Sequence, residues 1–166
     1  MITNRNLALL IGFGMALAVG TALGFQHIGG YIPCKLCLEQ RTAYYVGVPF
    51  MIGTAIAASH GTRPRLVKAL FGIGVLLMIW TMWLGIYHAG VEWAWWAGPD
   101  DCAGASSTVS EAGSLLDSLS QRPPSCDQAA GRFLGISFAG WNVLAAAMLA
   151  LLCLYGALRR QPDAKA

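Results

Sequence analysis

The sequence predicts an all-α membrane protein: a four-transmembrane-helix bundle whose spans are joined on one side by a short and a long loop. Three observations carry this. Apolar residues make up 56% of the chain and charged residues only 11%, against about 25% charged in an ordinary soluble domain. The apolar residues fall in four blocks instead of being scattered. The lysines and arginines are divided unevenly between the segments that separate those blocks. The 166 residues are read as a single integral membrane domain, 1–166.

The first block, Leu7 to Phe25, carries no charge. About 20 residues of helix cross a hydrocarbon core roughly 30 Å thick, and backbone polar groups there must be satisfied internally, so the block is read as a helix. Arg5 precedes it, as in a secretory leader. The run is longer than a typical leader core, however, and no small-x-small cleavage site ends it, so it is taken as a span over 7–25. Gly20 and Gly24 form a small-xxx-small spacing suited to close helix packing. The segment 26–41 contains "PCKLCLEQR" (33–41). The second span covers 42–58 and the third 69–87, both uncharged. "GIYHAGVEWAWW" (85–96) closes the third span and opens a long loop, 88–132. Within that loop Leu115, Leu116 and Leu119 share a face: a short helix on the membrane surface, or a loop resting on the bundle. The fourth span, 136–157, lies in the uncharged stretch between Arg132 and Arg159.

Four spans place both termini on one side. That side holds Arg5, Arg63, Arg65, Lys68, Arg159, Arg160 and Lys165; the other holds Lys35, Arg41, Arg122 and Arg132. The positive-inside rule assigns the seven to the cytoplasm. Of the acidic residues only Asp163 falls with them. The net charge of +3 thus reflects membrane orientation, and nothing in it points to nucleic acid.

Cys34, Cys37, Cys102 and Cys126 lie in the two outward loops, and Cys153 lies in the fourth span, where a free thiol serves as an apolar packing residue. Paired outward cysteines suit an oxidising compartment. Three readings compete. Four thiolates can hold zinc, but structural zinc sites usually show two close pairs, and Cys102 and Cys126 are far apart in sequence; no metal is expected. Two inert disulfides are a second reading, since closing the 102–126 loop gains roughly 3 kcal/mol. The third is a redox relay, favoured by the CxxC: a bridge between i and i+3 is compact and reducible, and a thiol at a helix N-terminus has a lowered pKa. Arg41, one turn after Cys37 on the same face, would stabilise a Cys37 thiolate, an anionic quinone adduct or both; otherwise it snorkels to lipid headgroups.

Dithiol oxidation releases two electrons. The chain has neither a dinucleotide fingerprint nor a c-type haem motif, so a membrane-soluble quinone is the expected acceptor. Trp93, Trp95 and Trp96 read as an interfacial aromatic belt. His88 at the hydrocarbon edge can hydrogen-bond a quinone carbonyl or transfer protons, and Glu92, four residues on, pairs with it if the helix continues.

These residues resemble the DsbB family of disulfide bond formation proteins. The resemblance covers nearly the whole chain: the four spans, "CKLCLEQR", "YHAGVEW" and, most specifically, "SCDQAAGRFLGISFAGWN" (125–142). It implies an enzyme of the bacterial inner membrane, a protein-disulfide:quinone oxidoreductase with periplasmic redox loops. Its partners would be a periplasmic thioredoxin-fold oxidase of the DsbA type, membrane lipid and the quinone pool, with ubiquinone or menaquinone as cofactor. By the same resemblance Cys102 is attacked by the partner's thiol, and Cys126 is released and pairs transiently with Cys34. Cys37 holds a thiolate in charge-transfer contact with the quinone, and Arg41 and His88 line the quinone site. Lys35, between the two cysteines, departs from the expected pattern and would favour thiolates. The HAGVEW stretch, a subgroup feature, is compatible with a relative serving one dedicated oxidase. A vitamin K epoxide reductase-like enzyme uses similar chemistry, but its CxxC lies toward the last core helix, whereas here it opens the second. A membrane scaffold with two static disulfides is the non-enzymatic alternative.

Overall fold

The computed structural model describes residues 2–99, 126–127 and 129–159. Cys102, Arg122 and the leucines of 115–119 lie outside the described residues. Four long helices form a bundle: α1 (Asn4–His27), α2 (Lys35–Ser59), α3 (Pro64–Glu92) and α4 (Phe138–Leu158). All four are long and apolar enough to cross a membrane. A two-stranded hairpin, β1 (Arg132–Phe133) and β2 (Ile136–Ser137), precedes α4.

The helix starts follow from local chemistry. Thr3 caps α1 by accepting the Asn6 N–H at 3.2 Å, and Ser137 caps α4 by accepting that of Gly140 at 3.2 Å. Each satisfies an amide that the first turn leaves open. Proline opens α3 at the position where its missing N–H costs nothing. The helices outrun the charge-free blocks. Lys35, Glu39 and Arg41 sit in the first two turns of α2, Arg65 and Lys68 in those of α3, and Glu92 ends α3. Charge at a helix end can reach the interface, so it does not stop the helix. As a result Cys37, Arg41, His88 and Glu92 are helical residues on a rigid frame.

The most extensive helix contacts are α3 against α4 and α1 against α2. Ile11, Met15, Met51, Phe71, Met78 and Cys153 fill the centre, each fully buried. Cys153 is a free thiol at this packing position. Close approach is made at particular glycines. A Cβ on Gly74 would stand 2.8 Å from Met51 Cε and 3.0 Å from Cys153 Sγ, and one on Gly156 2.7 Å from Phe71 Cδ1. The small-residue spacing at Gly20 and Gly24 does not serve this purpose: an added Cβ at either meets nothing within 4 Å. Spacing marks a possible groove; only the packing says whether a helix lies in it.

The outside of the bundle is as apolar as the inside. Phe13, Leu17, Leu76, Trp80, Trp83 and Leu151 are all exposed, the surface expected of helices bathed in lipid. Trp93, Trp95 and Trp96 are likewise exposed just beyond α3, with Trp96 stacked on Tyr87 and donating its indole N–H to the Tyr87 carbonyl at 2.8 Å. The protein is a multi-pass membrane protein.

The hairpin turn uses Leu134 and Gly135, both at positive φ (54° and 82°), the pattern of a tight two-residue connection. It folds Phe133 back so that its carbonyl accepts the Trp141 indole N–H at 3.0 Å.

Candidate active site

The pair in PCKLC is divided by the start of α2. Cys34 is the N-cap: its sulfur accepts the Cys37 backbone N–H at 3.4 Å. Cys37 lies in the first turn, its sulfur 3.1 Å from that of Cys34, and both are free thiols. The two sulfurs face different neighbours. Cys34 is 4% exposed and packs with Leu36, Val91 and Cys126 in a small buried cluster. Cys126 is disulfide-bonded and almost completely buried. Cys37 instead lines a cavity of about 410 Å³ between α1, α2, α4 and the hairpin.

The walls of this cavity are apolar, with Val19, Phe25, Ile32 and Phe138 among them. Its polar groups are few: Gln26, Gln40, Arg41, Tyr44, His88 and Asn142. That volume and that mixture are typical of a site for a small, largely apolar ligand held by a few oriented polar contacts. Arg41 does not reach away to headgroups. Its guanidinium is tied across to α1, donating to the Gln26 side-chain oxygen and, at 3.4 Å, to the Ala22 carbonyl. This fixes a permanent cation at the cavity wall beside Cys37.

α3 continues past Tyr87, as required for His88 and Glu92 to meet. His88 Nε2 stands 3.7 Å from Glu92 Oε1. The same nitrogen is 3.6 Å from Cys34 Sγ. The other ring nitrogen, Nδ1, is 2.9 Å from Gln40 Nε2. His88 and Glu92 have side chains 4% and 3% exposed, and Glu92 Oε2 is buried without a hydrogen-bond partner.

These contacts favour negative charge on Cys34, just outside the span of α2. The Cys37 thiol beside it is the largest influence; burial opposes it, and His88 and the Cys37 backbone N–H assist. The net effect holds Cys34 well below the usual thiol range.

Of the expected site residues, Cys34, Cys37, Arg41, His88 and Cys126 come together here, while Cys102 is outside the described residues. Gln40, Tyr44 and Asn142 were not anticipated. For Tyr44 and Asn142 the signal was present: a polar residue inside a span is costly and marks an interior contact. Tyr44 donates to Asn142 Oδ1 at 2.6 Å, and Asn142 Nδ2 donates to Gln40 Oε1 at 2.7 Å.

The chain is similar to known proteins over nearly its whole length. The profile of the family described as disulfide bond formation protein DsbB matches residues 4–156. The chain is 31% identical to disulfide bond formation protein B 2 of Pseudomonas savastanoi pv. phaseolicola, with 92% of this chain and 87% of the relative covered. It is 31% identical to disulfide bond formation protein B of Azoarcus sp., covering 90% and 86%, and 26% identical to that of Stutzerimonas stutzeri, covering 94% and 96%. No solved structure matches the chain. With its four apolar helices and near full-length match, the chain belongs to the DsbB family, an oxidoreductase family with a role in disulfide bond formation.

Proposed function

We propose that this protein reoxidises a periplasmic thioredoxin-fold oxidase of the DsbA type by passing two electrons through two cysteine pairs to a membrane quinone. The observation that carries the reading is the division of the CxxC: Cys34 packs with Cys126, while Cys37 faces an apolar cavity beside a fixed arginine. In this reading the loops that hold the cysteines face the periplasm and both termini face the cytoplasm, as the arginine and lysine distribution favours.

The relay is a series of thiol–disulfide exchanges. A thiolate of the reduced partner attacks Cys102 in a Cys102–Cys126 disulfide, forms a mixed disulfide and releases Cys126 as the thiolate. Cys126 attacks an oxidised Cys34–Cys37 bridge at Cys34, the sulfur it packs with, and Cys37 leaves toward the cavity. The partner's second thiol then closes the partner's own disulfide, freeing Cys102, which displaces Cys34 from Cys126. Disulfide number is conserved through these exchanges: the partner gains a disulfide and the Cys34–Cys37 pair becomes a dithiol. Restoring that pair removes two electrons and two protons. A bound quinone supplies the sink, becoming the quinol.

The cavity fits such a group: it has room for a ring among apolar walls, and Arg41 and the Gln26 amide would supply polar contacts for ring oxygens. Arg41 stabilises negative charge next to Cys37 as electrons arrive. Cys34 lies 3.1 Å from Cys37, so the bridge would re-form between them as a quinone bound in the cavity takes up the two electrons and two protons.

The test is quinone reduction by the purified, detergent-solubilised protein with excess reduced DsbA-type partner. Catalytic quinol formation is expected, and it is lost in Cys34→Ala, Cys37→Ala and Cys102→Ala. Absence of quinol with a partner shown to be competent elsewhere overturns the relay in favour of static disulfides.

A further inference from the structure

A neutral imidazole carries one ring proton, and the neighbours of His88 decide which nitrogen would hold it. Gln40 Nε2 lies 3.2 Å from the Leu36 carbonyl and 2.9 Å from His88 Nδ1. A backbone carbonyl only accepts, so the end of Gln40 beside Leu36 is the NH2. The opposite end, Oε1, faces Asn142 Nδ2 at 2.7 Å. Asn142 is pinned in the same way: its Nδ2 is 3.3 Å from the Thr81 carbonyl, and its Oδ1 is 2.6 Å from the Tyr44 hydroxyl. Turning Gln40 over would set oxygen against the Leu36 carbonyl and NH2 against NH2. Turning both amides would set Asn142 oxygen against the Thr81 carbonyl. Two carbonyls from two helices thus lock the chain in one direction, and it ends with an N–H aimed at His88 Nδ1.

We propose that Gln40, held by Asn142, is a positioning residue that fixes His88 with its proton on Nε2, so that His88 serves the Cys34 sulfur as a hydrogen-bond donor. Nδ1 must accept from Gln40, so the proton has only Nε2 to occupy. Nε2 is the nitrogen 3.6 Å from Cys34 Sγ and 3.7 Å from Glu92 Oε1. His88 then faces Cys34 through Nε2 as a donor and not as a base.

The same lock argues against a metal. Cys34, Cys37 and His88 place three potential ligand atoms within 4.8 Å of one another. A histidine that binds metal through Nε2 keeps its proton on Nδ1 and needs an acceptor there. Gln40 offers a donor. His88 is thereby disfavoured as a third ligand beside the two thiols. The place of His88 in catalysis rests on the relay proposed above; its tautomer does not.

The experiment is 15N NMR of the reduced full-length protein, labelled at histidine and held in nanodiscs at neutral pH, with His88 assigned by its loss in His88→Asn. The expected spectrum has a directly bonded proton on Nε2 and none on Nδ1. A proton on Nδ1, alone or with one on Nε2, overturns the proposal even if quinone reduction proceeds. Gln40→Glu puts an acceptor opposite Nδ1 and is expected to move the proton there; an unchanged spectrum in that variant, properly folded, removes the role from Gln40. Zinc added to the reduced wild-type protein gives an independent reading. His88 resonances are expected to stay in place, and a zinc-induced shift to the metal-bound pattern overturns the proposal.

Discussion

Replacing His88 by asparagine isolates one hydrogen bond. An asparagine amide reaches about as far as imidazole Nδ1 but not as far as Nε2. The contact with Gln40, 2.9 Å in the native protein, is therefore retained, and the group 3.6 Å from Cys34 Sγ is deleted. A hydrogen bond to a charged group contributes about 1.5–3 kcal/mol. The distance to sulfur places this one near the lower figure, and about 1.4 kcal/mol is one pKa unit. The Cys37 thiol and the backbone N–H remain, so Cys34 stays below the ordinary thiol range, but its ionisation moves up by about one unit. The assay is the pH dependence of iodoacetamide alkylation of the reduced protein, read by peptide mass spectrometry. Lys35 lies between the cysteines, so trypsin separates Cys34 from Cys37 and each is followed alone. The midpoint for Cys34 should rise by about one unit, with rates roughly tenfold lower on the acid side. At alkaline pH, where Cys34 is ionised in both proteins, the rates should converge. A midpoint that does not move, or that falls, refutes the argument that His88 stabilises the thiolate.

Two further expectations concern the cavity and the packing beneath it. Arg41→Ala removes the cation tied to Gln26 and Ala22; the KM for quinone should rise about 10-fold to 100-fold, the equivalent of a lost charge-assisted bond, with the KM for the reduced partner nearly unchanged. A rise in the partner's KM alone would count against the assignment. Gly85→Ala builds a Cβ 2.8 Å from Val143 Cγ2 and 3.1 Å from Asn142 Nδ2; overpacking of this kind costs about 1–3 kcal/mol, visible as a lower unfolding midpoint in detergent. An unchanged midpoint would mean that α3 and α4 separate there without cost.

What the sequence determined is what one-dimensional pattern can encode. Four uncharged runs of membrane length require four helices, because lipid offers backbone groups no other partner. The cysteines, Arg41 and His88 stand out because thiols, cations and imidazoles are rare beside such runs, and the i, i+4 spacings of Cys37 with Arg41 and of His88 with Glu92 bring each pair to one face. What only the tertiary structure decided is which sulfur faces what. The turn at which α2 begins makes Cys34 a cap turned toward Cys126 and leaves Cys37 in the cavity wall. Asn142 lies far along the chain from Gln40 and Tyr44, and each taken singly reads as an isolated polar residue in or beside a span. Their meaning comes from the 2.6 Å and 2.7 Å contacts that join them, and from the carbonyls of Leu36 and Thr81 that give the chain its direction. Glycines show the same limit in reverse. Gly20 and Gly24 have the spacing of a contact, yet among the described residues a Cβ added at either meets nothing within 4 Å, while Gly74 and Gly156 lie against neighbouring side chains. Hydrophobicity and spacing act along a helix and can be read from the chain; hydrogen bonds and close contacts act between helices and exist only once the helices are packed.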